Sequence, residues 1–300
     1  MRNQLSTHLS WTLVALLAAS TLHAQNDEIS FQATELAPGL HMLQGVGGFA
    51  GGNLGLLVGD DGVVLIDDSM PPLSDKVLGA IAELTDQPVD FLINTHVHGD
   101  HVGNNATFAQ AGATIVAHDR LRERLLTEGM GNTPGPPPAD ALPVVTFSDS
   151  VTFHLNGRSA YVFHVAAAHT DGDAVIHFRG DNVIHAGDVL FNRLFPFIDL
   201  DSGGTVDGFI AAQKRILALT DGETKIIAGH GELAGREDLA AAIAMLEDAQ
   251  SRVRALVDAG KSDDEIVAEN PLADYHDVWN WGFITTERMT RTLLRDLRAG

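Results

Sequence analysis

The amino-acid sequence predicts an α/β protein in which two sheets pack face to face and helices cover the outside. Three observations carry this expectation. Short apolar runs alternate with stretches of helical periodicity. The order strands, then helices, then strands occurs twice along the chain. Polar residues of the metal-binding kind, with glycine close by, stand where several apolar runs end. Sheets that are apolar on both faces need cover on both, and paired sheets with outer helices provide it.

The elements follow in order. Leu40 to Leu43, Leu54 to Val58 and Val63 to Asp67 read as strands, the last two joined by the turn Gly59-Asp60-Asp61-Gly62. Leu73, Val77, Leu78, Ile81 and Leu84 recur at helical spacing. Val89 to Ile93 has the composition of a buried strand and runs directly into Asn94-Thr95-His96. Helix is expected at 104–111 and 119–127, with a strand at 113–117 between them. Residues 129–143 are dense in Gly and Pro and read as a loop, either a plain connection or a flap beside a site. Strands are expected at 143–147, 150–155, 159–165, 174–178, 182–186 and 224–228, and helices at 206–219, 235–257 and 284–298.

Bulk properties bound the function. The 300 residues are enough for a sizeable core, and we expect one domain over 25–300. The net charge of −21 makes nucleic acid and anionic membrane surfaces poor partners, leaving a small molecule. Arg2, the apolar run Trp11 to Ala19 and the mostly small residues up to Ala24 have the layout of a secretory signal over 1–24, so we expect export, to the periplasm, with no membrane attachment after its removal. The chain has no cysteine, so any metal site must use His and carboxylate.

The segment Thr95-His96-Val97-His98-Gly99-Asp100-His101 carries the chemistry. Four metal ligands within six residues sit between a buried strand and a helix, on a loop that turns alternate side chains toward one point. His96 and His98 can converge on one ion while Asp100 and His101 face a second. His169, Asp188 and His230 each follow a predicted strand with Gly close by. Together these residues supply five His and two Asp, enough for two metals. The remaining histidines past the signal (His41, His118, His154, His164, His177, His185, His276) read as structural or surface residues, His118 being the one best placed to join the site.

On these residues the chain resembles the metallo-β-lactamase superfamily over roughly 35–260. The signature HxHxDH stands here as His96-x-His98-x-Asp100-His101, and the later ligands match His169, Asp188 and His230. The resemblance implies a four-layer αβ/βα sandwich, one metal on His96, His98 and His169, another on Asp100, His101 and His230, and Asp188 bridging them. Asp188 stands where some β-lactamases carry Cys, which is similar to the glyoxalase II, lactonase and phosphodiesterase branches.

The expected function is an exported di-zinc hydrolase in which metal-bound hydroxide attacks a cyclic amide or ester, β-lactams leading. Iron or manganese would also suit the set. The alternatives are a thioesterase or lactonase on the same metals, and a metal-binding accessory protein of a periplasmic oxidation pathway. Asp100 is the expected catalytic carboxylate, orienting the nucleophile and moving a proton. Asp67, Asp68 and Thr95 are candidates to fix the ligand tautomers, Asp67 being equally readable as a turn residue. Phe49, between glycines, reads as a flap residue; Phe191, Phe195, Phe197 and Ile198 read as cleft wall or as core; Trp279 and Trp281 read as packing. No Arg or Lys cluster follows the ligands, so a phosphate or multi-carboxylate cradle is not expected.

Overall fold

A computed structural model describes residues 28–129 and 135–299; the expected signal at 1–24 and part of the loop 129–143 lie outside them. The first sheet has seven strands in sequence order: β1 (Ser30–Ala37), β2 (Leu40–Val46), β3 (Leu54–Leu57), β4 (Val64–Ile66), β5 (Phe91–Ile93), β6 (Thr114–His118) and β7 (Val145–Phe147). It is antiparallel from β1 to β4 and parallel from β4 to β7. The second sheet runs β13-β12-β11-β10-β9-β8, built from β8 (Ser150–Leu155), β9 (Arg158–His164), β10 (Ala174–Phe178), β11 (Val183–Phe191), β12 (Lys225–His230) and β13 (Ala234–Gly235).

Alternation along each strand sorts the core into layers. Val64 and Ile66 of β4, Ile93 of β5 and Val116 of β6 face Val162, Ile176, Val183 and Ile227 of the other sheet. Leu65, Leu92 and Ile115 point the opposite way, onto Val77 and Ile81 of helix α1 (Ser74–Ala82). Two short helices follow β5, α2 (Gly99–Val102) and α3 (Asn105–Gln110), and α4 (Asp119–Glu128) follows β6. On the far side of the second sheet, α5 (Val206–Leu217) and α6 (Arg236–Asp258) pack onto Ile184, Ile226 and Ala228. The buried face of α6 (Leu239, Ala242, Ile243, Leu246, Ala249, Val253) keeps the 3–4 residue spacing of an amphipathic helix. Three more helices, α7 (Asp263–Glu269), α8 (His276–Trp279) and α9 (Thr286–Ala299), close the same layer. The expected four-layer αβ/βα sandwich is the observed architecture.

The differences from expectation are local. β1 is an unpredicted edge strand, exposed at most positions, with Phe31 and Leu36 its buried apolar anchors. Strand β11 runs on to Phe191, so Asp188 lies inside a strand and not just past one. The pairing register of β11 with β12 shifts at Gly187, whose φ is 51°. That irregularity leaves Asp188 free to turn out of the ladder. The described part of the Pro-rich loop contains a short 3-10 turn at Ala139–Ala141, and none of residues 135–143 lines the cavity described below.

Ile227, fully buried between the sheets, tests this layering. Ile227→Ala should lower unfolding stability in urea by about 2–5 kcal/mol. Val145→Ala, at a half-exposed position of β7, should change it by less than about 0.5 kcal/mol.

Candidate metal centre

Strands β4 and β5 are parallel and end side by side, at Ile66 and Ile93. Asp67 follows at once, fully buried and with a left-handed backbone (φ 58°). Its Oδ1 accepts the Thr95 backbone N–H (2.7 Å), and its Oδ2 takes the Thr95 hydroxyl (2.7 Å) and meets His101 Nδ1 (2.8 Å). One carboxylate therefore fixes both flanks of the loop that carries His96, His98 and Asp100. Asp68 accepts from the Asn104 backbone N–H at 2.9 Å, and burial pushes its carboxyl well above the usual carboxylate range. Its backbone N–H donates to the His101 carbonyl at 3.2 Å, so it braces the backbone behind the loop, and its carboxylate is in neither cluster.

The loop brings the expected side chains into two adjoining clusters. His96, His98, His169 and Asp188 form one, with their donor atoms all within 4.8 Å of one another; Asp100, His101 and His230 form the other on the same measure. Asp188 stands between them. Its Oδ2 is 3.7 Å from His96 Nε2, 3.5 Å from His169 Nε2 and 3.4 Å from His230 Nε2, and its Oδ1 is 3.2 Å from His101 Nε2. Asp100 Oδ2 lies 3.6 Å from His101 Nε2 and 3.5 Å from His230 Nε2.

In four histidines the ring nitrogen turned away from the clusters has its own partner. His96 Nδ1 meets the Thr95 hydroxyl (3.0 Å), His98 Nε2 meets Asp199 Oδ2 (2.9 Å), His101 Nδ1 meets Asp67, and His169 Nδ1 meets the Phe197 carbonyl (2.6 Å). Such bonds set the tautomer and aim the opposite lone pair inward. His230 is held instead by stacking, on Phe191 at 5.0 Å and Phe49 at 5.9 Å between ring centres.

The electrostatics calls for cations. His96 Nε2, His101 Nε2 and Asp188 Oδ1 are buried without any hydrogen-bond partner. Burial pushes His169 down to about 3 and, with the nearby His101, holds His96 well below the ordinary histidine value, so both rings are neutral ligands at neutral pH. Burial alone would also lower His101, but Asp188, Asp100 and Asp67 overcome it and hold its ring well above the ordinary value. Lone pairs aimed inward and carboxylates packed against histidines are what metal ions would satisfy, and N and O donors with no sulfur suit zinc, iron or manganese.

Glycine is required at the clusters by space. A Cβ on Gly229 would sit 1.9 Å from Asp188 Oδ1, and one on Gly52 would sit 2.1 Å from His101 Cε1. A cavity of about 750 Å³ opens over the two clusters, with His98, Asp100, Asp188 and His230 on its polar side. Phe49 and Phe191 line it as expected, and so does Phe197.

Phe195 does not line it. The ring is fully buried in the helical layer, and the residue's backbone bonds to Trp279 on one side and to the Trp281 indole on the other. Ile198 is core as well. Trp281, expected as packing, lines the cavity together with Phe283; Trp279 packs. His118 belongs to neither cluster: its Nδ1 caps α4 at Arg120 and its ring stacks on His164 at 3.8 Å. Asp199 was not singled out in the sequence; its signal is an acidic side chain in the otherwise apolar run Phe195 to Leu200. Burial would raise its carboxyl, but hydrogen bonds from His98 and Ser202 win and hold it below the ordinary range.

Paired histidine-carboxylate clusters at the strand ends of a two-sheet α/β sandwich are an arrangement able to hold metal. A family model described as the metallo-beta-lactamase superfamily matches residues 47–230, and the chain belongs to that superfamily. Among curated proteins, a hydroxyacylglutathione hydrolase from Methylococcus capsulatus is 31% identical over 144 residues, 46% of this chain and 47% of that protein. The match thus spans about half the length of this curated relative. Among solved structures, a metallo-beta-lactamase family protein from Thermus thermophilus aligns with a TM-score of 0.65 at 21% identity, over 88% of this chain and 95% of that one. A sec-alkylsulfatase from Pseudomonas sp. aligns at 0.66 and 16% identity, over 88% of this chain and 50% of that one. At such identities the two structures speak to the fold alone.

Two substitutions test the geometry. Gly229→Ala should displace Asp188 and weaken metal binding at least about tenfold in competition with a chromogenic chelator, with the circular dichroism of the fold retained. Asp67→Asn should weaken it by roughly 10–100-fold through the tautomer of His101. Undiminished affinity in both variants would contradict the arrangement.

Proposed function

We propose that this protein is an exported di-zinc hydrolase that cleaves a small-molecule amide or ester carbonyl, with an ester, thioester or lactone ahead of a cyclic amide. The contact of Asp188 with both clusters carries the reading. In it, His96, His98 and His169 would hold one ion and Asp100, His101 and His230 the other, with Asp188 within reach of both. Bound there, the metals would supply Lewis-acid chemistry, lowering the pKa of a water and polarising a carbonyl.

The chain's own residues supply the rest. Asp100 is the more exposed of the two carboxylates on the cavity floor, 21% against 4% for Asp188. It orients the attacking water, takes its proton and hands that proton to the departing nitrogen, oxygen or sulfur. His98, held by Asp199, and His230, stacked on Phe49 and Phe191, stand with Asp100 and Asp188 on the cavity's polar side. The hydroxyacylglutathione hydrolase likeness and the Asp at position 188 support the thioester and ester side of the reading over β-lactams. The layout of residues 1–24 supports export, and no helix among the described residues is long and apolar enough to cross a membrane.

Three measurements check this. A panel of S-lactoylglutathione, a γ-lactone, an aryl ester and a chromogenic cephalosporin should show turnover of at least one ester or thioester. That turnover should be abolished by chelator and reduced by about 10²–10⁴ in Asp100→Ala. Cephalosporin turnover alone would move the assignment to cyclic amides, and a metal-replete protein inert to the whole panel would favour the accessory-protein alternative. Elemental analysis of protein purified without added metal should find zinc at about two per chain; predominant iron or manganese would overturn that identity. Expressed in a Gram-negative host, the protein should be recovered in the periplasmic fraction and begin near Gln25; retention in the cytoplasm with Met1 intact would contradict export.

A further inference from the structure

Resting on the hydrolase reading above, we propose that the substrate is an uncharged ester, thioester or lactone carrying a bulky apolar group. That group is received by an aromatic box which the C-terminal segment completes. Five of the residues lining the cavity are aromatic: Phe49, Phe191, Phe197, Trp281 and Phe283. Four of the rings form a connected wall, and Phe49 joins it through the His230 ring at 5.9 Å. Trp281 lies 6.2 Å from Phe191 and 5.6 Å from Phe283, and Phe283 lies 5.4 Å from Phe197. The wall closes onto the metal centre itself, with Phe197 at 5.5 Å from the His98 ring and Trp281 at 6.1 Å from the His230 ring. Met70, Pro71 and Pro72 face it as apolar lining.

The polar side chains of the lining all belong to the two clusters, and among the described residues no Lys or Arg lines the cavity. Arg288 lies against the wall without lining it: its guanidinium sits 4.1 Å over the Phe283 ring and donates to the Phe283 carbonyl at 3.0 Å. A substrate carboxylate beyond the metals would lose its hydration and meet no cationic side chain. A chain of net charge −21 adds long-range repulsion. An apolar group gains free energy from the same walls.

Two further observations point to a ligand. Phe49 and Phe283 remain 57% and 45% exposed at the cavity, while Phe108, Phe163, Phe178, Phe195 and Phe209 are fully buried. Exposed rings flanking a cavity are surface for something else to cover. The wall is also held in place: the Trp281 indole N–H donates to the Phe195 carbonyl at 2.9 Å, and the Trp281 backbone N–H donates to the Ile284 carbonyl at 3.2 Å. Trp281 and Phe283 lie beyond residues 47–230, so this side of the box comes from outside the segment that the family model matches. The cavity volume of about 750 Å³ accommodates a group well beyond acetyl size.

The test compares kcat/KM of the zinc-loaded full chain on p-nitrophenyl acetate, butyrate, hexanoate and octanoate, and on the monoanionic p-nitrophenyl ester of adipic acid. Octanoate should exceed acetate by roughly 50-fold, and the adipate monoester should fall about tenfold or more below hexanoate. The double variant Trp281→Ala, Phe283→Ala should compress the octanoate-to-acetate ratio to within about threefold, with its metal content unchanged. A separate tryptophan-fluorescence titration with N-alkylacetamides should show affinity rising with chain length. Turnover with a flat chain-length series, or with preference for the anionic ester, overturns this proposal and leaves the hydrolase reading standing. Chain-length-dependent binding without turnover of these esters, S-lactoylglutathione, the γ-lactone or the cephalosporin supports the box and overturns the hydrolase reading. Neither turnover nor such binding overturns both.

Discussion

The carboxylate of Asp67 is the contact on which the site depends. It is fully buried at the end of a parallel strand, in a backbone conformation that non-glycine residues rarely adopt. Such strain persists only where the surroundings fix it. Three bonds do so here, to the Thr95 backbone N–H, the Thr95 hydroxyl and His101 Nδ1. Through them the end of one strand dictates the path of the loop that leaves the next. That loop then presents His96 and His98 to one cluster and Asp100 and His101 to the other. The sandwich supplies the opposite half: the irregular β11 offers Asp188 and the end of β12 offers His230. A centre built from both sheets cannot form until the sheets dock.

The same economy organises the cavity. The segment after β11 does three jobs within a few residues. The Phe197 carbonyl holds His169, Asp199 holds His98, and the Phe195 carbonyl holds the Trp281 indole. Ligand orientation and the aromatic wall therefore share one stretch of backbone. A distortion there would reach the metal centre and the apolar pocket together.

Much of this was legible in the sequence, for a physical reason. Strand-to-helix loops and Gly-flanked strand ends are local features, so the 96–101 loop, His169 and His230 stand out in the sequence, and the two-sheet sandwich follows from the order strands, helices, strands occurring twice. Residue type and the adjacent Gly mark Asp188 in the sequence, but its place inside β11 depends on a register shift at Gly187 set by the neighbouring strand. Strand β1 was missed because an exposed edge strand with two buried apolar anchors carries no clear alternation. The roles of Phe195 and Trp281 were interchanged. Both are aromatic residues in apolar surroundings, and which of them faces solvent is set by a hydrogen bond between segments 86 residues apart. Asp199 escaped notice because a single carboxylate has no periodicity, and its meaning comes from the His98 ring it meets.

The proposed chemistry requires two metal ions that share Asp188. Anomalous diffraction at the zinc edge, from crystals of the protein grown without chelator, tests it most directly. Two peaks about 3.5–4 Å apart, one on either side of Asp188, are the result this account predicts. A single peak held by His96, His98 and His169 alone, or a pair of peaks that Asp188 does not join, would contradict it.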